Sequence, residues 1–144
     1  MLKAGFLKAK KRDPSLHRSD LISNVSGSIL ELFEEKLSKD QSMFEYGSGK
    51  STTYLAQRIK HVTSVTQDGL ILKELKDEDN IILRLYGNNR NYANAIVSEG
   101  PEKRYELISV NGRHRAACSI NALEQLTPNG ILILNDSDDE HNQQ

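Results

Sequence analysis

The 144 residues contain one cysteine, Cys118, which excludes an internal disulfide and any cysteine-rich metal cluster and fits a reducing compartment. An excess of charge is also lacking. With 19 Lys and Arg against 20 Asp and Glu, the formal net charge is -1, and nothing global points to a polyanion or an acidic substrate. There is accordingly no strong nucleic-acid signal. No apolar run is long enough for a signal-peptide core or a membrane span, so the expectation is a cytoplasmic protein without a membrane partner. Internal repeats and low-complexity linkers are absent too. What is present is a length suited to one core, with 37% apolar residues and a mean hydropathy of -0.57. That is less apolar than usual for a globular chain but too well patterned for a disordered one.

The two ends read as tails. MLKAGFLKAKKR carries five basic groups and opens a basic arm over 1–20, either solvated or touching an anionic surface. The end, NDSDDEHNQQ, is polar and acidic, and 139–144 are assigned to a polar tail. The folded domain is expected over 21–138.

Within it, helix and strand signals alternate. Val25, Ile29, Phe33 and Leu37 recur every four residues with Leu30 beside them, an apolar helical stripe, and Ser28 with Glu31 suits a capping box. Strands are expected at Met43 to Tyr46, His61 to Thr66, Ile81 to Leu85, Tyr105 to Val110 and Ile131 to Leu134. Between them come a helix through Tyr54, Leu55, Ala56 and Ile59, short ones near Leu70 to Leu75 and Tyr92 to Val97, and one marked by Ala116, Ile120, Leu123 and Leu126. That last helix is expected to stop at Pro128-Asn129-Gly130. The continuous apolar run Ile131 to Leu134 suits a strand covered on both faces. Regular alternation implies an α/β fold, a three-layer sandwich around a mainly parallel sheet of about five strands. Such sheets bind ligands at the carboxyl ends of their strands, where strand order reverses.

The most informative stretch is GSGKSTT, where a strand turns into a helix. A phosphate-loop reading is weakened by spacing: the motif needs a glycine five residues before the Gly-Lys pair, and counting back from Gly49 reaches Phe44, inside the strand. Nucleotide-phosphate binding through GSGKST stays open as a third alternative. The other reading puts Glu45 at the strand end and Gly47-Ser48-Gly49 in a tight turn that a ligand can approach closely.

EYGSGKSTTYLAQRIKHVTSV resembles the first motif of class I S-adenosylmethionine-dependent methyltransferases, in the branch where the turn reads E-[YF]-G-S-G-N-S-T and a strand ending S-V-E-H-D follows. VNGRHRAACSINALEQLTPNGILILNDSD resembles the same branch's V-D-G-R-x-R stretch with its helix, P-x-G turn and strand ending D-N-S-D. The two stretches lie in roughly 42–68 and 105–138. The resemblance implies a Rossmann-like fold of strand order 3-2-1-4-5, S-adenosylmethionine as cofactor, and methyl transfer to an unidentified small-molecule or macromolecular acceptor. It also implies that the terminal β-hairpin strands of that family are missing, making this a shortened or degenerate member.

Carried over residue by residue, the resemblance puts Glu45, Gly47, Ser48 and Gly49 at the methionine end of the cofactor. The ribose would lie at the end of the second strand, where the family's acidic residue falls on Thr66, with Gln67 and Asp68 beside it. Asp68 lies nineteen residues after Gly49, close to the spacing of ribose carboxylates in dinucleotide folds. A further family Asp is Asn111 here, and D-N-S-D has become Asn135-Asp136-Ser137-Asp138. Displacement at a sulfonium needs no protonated leaving group, so positioning and water exclusion can carry the reaction; for an oxygen or nitrogen acceptor, His114 and Asp136 are the candidate bases. The favoured reading of His114 is nevertheless a surface residue at a helix start, and that of Cys118 is core filling. No metal site is expected, the histidines lacking ligand spacing. The alternative class is a catalytically degenerate binding or scaffold protein, favoured by Thr66 and Asn111. A long apolar fifth strand at a sheet edge further suggests a homodimer.

Overall fold

A computed structural model describes residues 27–75, 79–87, 91–111 and 113–134. The basic arm, Val25, the Asn135 to Asp138 stretch with Asp136, and the polar tail lie outside these residues. Five strands alternate with helices: α1 (Gly27–Lys36), β1 (Ser42–Tyr46), α2 (Lys50–Ala56), β2 (His61–Thr66), α3 (Ile71–Glu74), β3 (Ile81–Leu85), α4 (Ala95–Ser98), β4 (Tyr105–Val110), α5 (Arg115–Glu124) and β5 (Leu126–Leu134). The strands form one sheet, every pairing parallel, in the order β3-β2-β1-β4-β5. This is the expected order.

Alternation along the strands builds two different cores. On one face Met43, Val62, Leu107 and Ile133 meet Phe33 of α1 and Tyr54, Leu55 and Ala56 of α2, with Ile59 just beyond. On the other, Phe44, Tyr46, Val65, Ile108 and Val110 meet Tyr92, Tyr105, Ala95 and Ile96 of α4, and Cys118 and Ala122 of α5. The second core is aromatic, its rings joined edge to face: Phe44–Tyr46 at 4.9 Å, Phe44–Tyr105 at 5.5 Å and Tyr46–Tyr92 at 5.5 Å between centroids. The helix after β1 thus covers one face and the helix after β4 the other. Since β1 and β4 are neighbours, their carboxyl ends flank the crevice where the order reverses.

Three local expectations need correction. Ala116, Ile120 and Leu123 were expected on the buried face of their helix, yet α5 buries Arg115, Cys118 and Ala122 and leaves Ile120 and Leu123 65% and 60% exposed. Large rings already fill the face beneath α5, so small side chains fit there. Polar bonds fix its rotation, Asn121 Nδ2 donating to the Ala93 carbonyl at 2.8 Å and to Asn94 Oδ1 at 3.0 Å. Second, Pro128-Asn129-Gly130 does not separate helix from strand. The helix stops at Glu124, β5 starts at Leu126, and the register passes from Tyr105↔Leu126 to Leu107↔Ile131, which makes the turn residues an irregularity within the strand. Third, Ser28 lies inside α1 rather than before it.

Candidate functional site

β1 carries its last residues to the crevice between its two flanking strands, Tyr46 lying level with Val65 of β2 and Val110 of β4. Glu45 pairs with Ser64 of β2 and Ser109 of β4, and Tyr46 accepts the amide of Asn111 at 2.9 Å. The chain then reverses at Gly47, whose φ of 88° is the left-handed conformation that glycine adopts without strain. Gly49, with φ -168°, is simply extended and caps α2.

Glu45 lies beneath this turn and is fully buried. Ser64 Oγ and Thr52 Oγ1 each donate to its Oε2 at 2.6 Å, and Asn111 Nδ2 donates to Oε1 at 3.4 Å. Ser48 and Ser64 share a hydroxyl contact of 2.6 Å, and Thr52 Oγ1 accepts the Gly49 amide at 3.0 Å. Burial pushes the Glu45 carboxyl up to about 7, the bonds from Ser64, Thr52 and Ser51 pulling the other way. The turn amides serve the protein itself: those of Gly47 and Ser48 both reach the Val65 carbonyl, at 2.8 and 3.3 Å.

Thr66, at the end of β2, is buried, and its Oγ1 accepts the Asp68 amide at 3.1 Å. Asp68 is exposed and spends Oδ1 on the Leu70 amide at 2.9 Å, a local turn that starts α3. Half-buried Gln67 donates Nε2 to the Gly87 carbonyl at 3.2 Å, tying the β2 and β3 exits together. After β4, half-buried Asn111 accepts from Ser109 Oγ at 3.0 Å, which orients its amide toward Glu45. His114 is exposed at the start of α5 with φ 58°, a left-handed conformation uncommon outside glycine. Buried Cys118 has its thiol pushed up to about 12 by desolvation, consistent with a packing residue. Glu45, Ser48, Gly49 and Asn111 therefore belong to one bonded cluster, while Thr66 and Asp68 are bonded to each other at the end of β2 and Gln67 bonds across to the β3 exit.

Ser64, Thr52 and Tyr92 were not singled out from the sequence. Ser64 and Thr52 sit in strand and helix runs that read as local structure, and only pairing brings them to Glu45. The period-2 alternation did carry a signal for Ser64, since it occupies the Glu45 side of the sheet in β2. Tyr92 is buried beside Tyr46, its phenol held neutral chiefly by desolvation.

No family model and no curated protein matches the chain. Solved structures share its architecture. Trm5b from Pyrococcus abyssi superposes with a TM-score of 0.55 at 14% identity, over 72% of this chain and 31% of its own. SMU.1697c from Streptococcus mutans, solved in complex with SAH, gives 0.55 at 16% identity over 87% of this chain and 73% of its own. An rRNA methylase from Streptococcus thermophilus gives 0.56 at 18% identity over 90% and 76%. The chain thus spans less than a third of Trm5b, and at these identities the likeness establishes the fold. That fold is the Rossmann-like one of class I methyltransferases, with strand order 3-2-1-4-5. Among the described residues no helix is long and apolar enough to cross a membrane, and no cluster of three metal-ligating side chains occurs.

Proposed function

We propose that the chain binds S-adenosylmethionine over the Gly47-Ser48-Gly49 turn and transfers its methyl group to an acceptor. The observation that carries this reading is a buried acid supporting a left-handed glycine turn at the point where a 3-2-1-4-5 sheet reverses its order. When bound, the cofactor supplies an electrophilic methyl whose sulfonium leaving group needs no proton. The protein's part is then orientation and exclusion of water. Glu45 acts through the turn, holding Ser48 and Gly49 in place rather than facing the ligand. Thr66 shapes the loop that presents Asp68, whose Oδ2 is the natural acceptor for a ribose hydroxyl, with Gln67 beside it. Asn111 closes the β4 side. His114, exposed at the β4 exit, is the candidate base for an oxygen or nitrogen acceptor, with Asp136 the second candidate.

The degenerate-scaffold reading is favoured by one observation: the amides of Gly47, Ser48 and Gly49 are all used inside the protein. Calorimetric titration with S-adenosylhomocysteine, with ATP and magnesium as control, separates the two. Micromolar binding of the first alone supports the enzyme, whereas binding of ATP revives the phosphate reading. Silence from both supports the scaffold. The homodimer through β5 stays a proposal. It rests on a strand, LTPNGILIL, that carries no charge and whose outer edge has no strand partner among the described residues. Light scattering at high concentration tests it, a monomer overturning the proposal.

A further inference from the structure

The dipeptide Asn-Gly occurs twice, at Asn111-Gly112 and Asn129-Gly130. It is the pairing in which asparagine is chemically least durable, because glycine has no side chain to shield its backbone nitrogen from the neighbouring amide carbon. The fold treats the two copies oppositely. Asn111 is held through its backbone amide, which donates to the Tyr46 carbonyl at 2.9 Å, its Oδ1, which accepts from Ser109 Oγ at 3.0 Å, and its Nδ2, which donates to Glu45 Oε1 at 3.4 Å. Turning that side chain toward the following nitrogen breaks bonds in a half-buried cluster.

Asn129 has no such restraint. It is exposed, and among the described residues no hydrogen bond fixes its side chain. The pairing of β5 with β4 passes from Leu126 directly to Ile131, so Thr127-Pro128-Asn129-Gly130 stands out of the ladder. A Cβ at Gly130 would lie 2.7 Å from the Leu126 side chain and 2.9 Å from Thr127 Oγ1. Residues four apart in an extended strand lie about 13 Å from one another, so the chain doubles back here, with proline second and glycine fourth as tight turns favour. The same crowding keeps position 130 a glycine. A bulkier residue, which would slow attack on Asn129, does not fit without displacing Leu126 and Thr127.

We propose that Asn129 is a site of spontaneous deamidation on the β5 edge, and that the cluster around Glu45 keeps Asn111 as the amide. The Gly130 nitrogen loses its proton to solvent and bonds to Asn129 Cγ. The Cγ–Nδ2 bond breaks, and Nδ2 takes a proton from solvent and leaves as ammonia, closing a succinimide ring. Water then opens either imide carbonyl, giving aspartate or isoaspartate. Amide and water have become carboxylate and ammonium, with nothing oxidised or reduced. A negative charge thereby enters LTPNGILIL, which has none, on the edge that lacks a strand partner among the described residues. Charge on an edge strand opposes pairing, so the modified edge resists association. That consequence rests on the β5 dimer reading above; the reaction does not.

The test incubates the folded full chain at mildly alkaline pH and follows the peptides containing Asn129 and Asn111 by chromatography and mass spectrometry. Asn129 is expected to lose its amide at least about tenfold faster than Asn111, the factor that the net worth of one or two hydrogen bonds corresponds to. Unfolding in guanidinium chloride should bring the two rates together, because the restraints on Asn111 are then gone. Equal rates in the folded chain, or faster loss at Asn111, overturn the proposal. So does a gap that persists undiminished in the unfolded chain, which would put its cause in the flanking residues. Asn129→Asp reproduces the charge, and light scattering should find this variant monomeric where the unmodified chain associates. Equal association overturns the barrier to pairing. An unmodified chain that never associates removes the dimer reading, while faster loss at Asn129 would still uphold the deamidation.

Discussion

Two regions of this molecule depart from the rule of apolar inside and polar outside, in opposite directions. At the carboxyl end of β1, Glu45, Thr52 and Ser64 are buried. On the flank of β5, Ile120, Leu123 and Leu134 stand in solvent. A buried polar group or an exposed apolar patch is the informative observation in a fold, and these two inform differently. The first is fully bonded within itself, so its arrangement answers to geometry: removing a partner strands another. The second is bonded to nothing described here, so its contribution to the folded chain is small and any role for it lies in what covers it.

The largest expected effect probes the buried cluster through pH. The Glu45 carboxyl is raised from 4.5 to about 7 in the folded protein, so the folded state holds the proton more tightly than the unfolded one. The stabilising contribution is fully present below about 4.5 and is lost as pH rises through about 7. Its size is about 3 kcal/mol. Urea unfolding across this range should show that decline, and Glu45→Gln should flatten it. The ionised form is thus the less stable one in the folded chain.

Next in size, Thr52→Val deletes a donor to the carboxylate and the acceptor of the Gly49 amide, and should cost about 2 kcal/mol at pH above the Glu45 midpoint and less below it. A pH-independent loss would show that the hydroxyl serves packing alone. Gly47→Ala forces a side chain into φ 88° and should cost about 1–2 kcal/mol, read as a shift in melting temperature. At the other region, Ile120→Ser with Leu123→Ser should change monomer stability by no more than about 0.5 kcal/mol. A larger loss in denaturant would mean the stripe is covered in solution, and light scattering of the same variant would show whether a second copy covers it.

Much of the fold was legible because its signals are local. The first four strands were expected where they lie, since short apolar or β-branched runs between turn residues report strand formation without reference to the rest of the chain, whereas β5 was expected only over its last four residues. The glycine turn was legible for the same reason, Gly47 being required where the backbone goes left-handed. The candidate site was half legible. Glu45, Ser48, Gly49 and Asn111 were named, but Ser64 and Thr52, which complete the cluster, were not, because their partners lie in other elements.

From its own residues, then, the chain determines where strands and helices form and where the backbone must reverse, since these depend on neighbours along the sequence. Which face of α5 turns inward, the placing of Pro128-Asn129-Gly130 within a strand, and the complete burial of Glu45 were decided by tertiary structure. Periodicity says which residues share a face but not what that face meets. Here the Tyr46, Tyr92 and Tyr105 rings occupy the space beneath α5, so Cys118 and Ala122 go in and Ile120 and Leu123 stay out. Likewise, an acid at a strand end becomes a buried, near-neutral titrating group only when two neighbouring strands and a helix close over it.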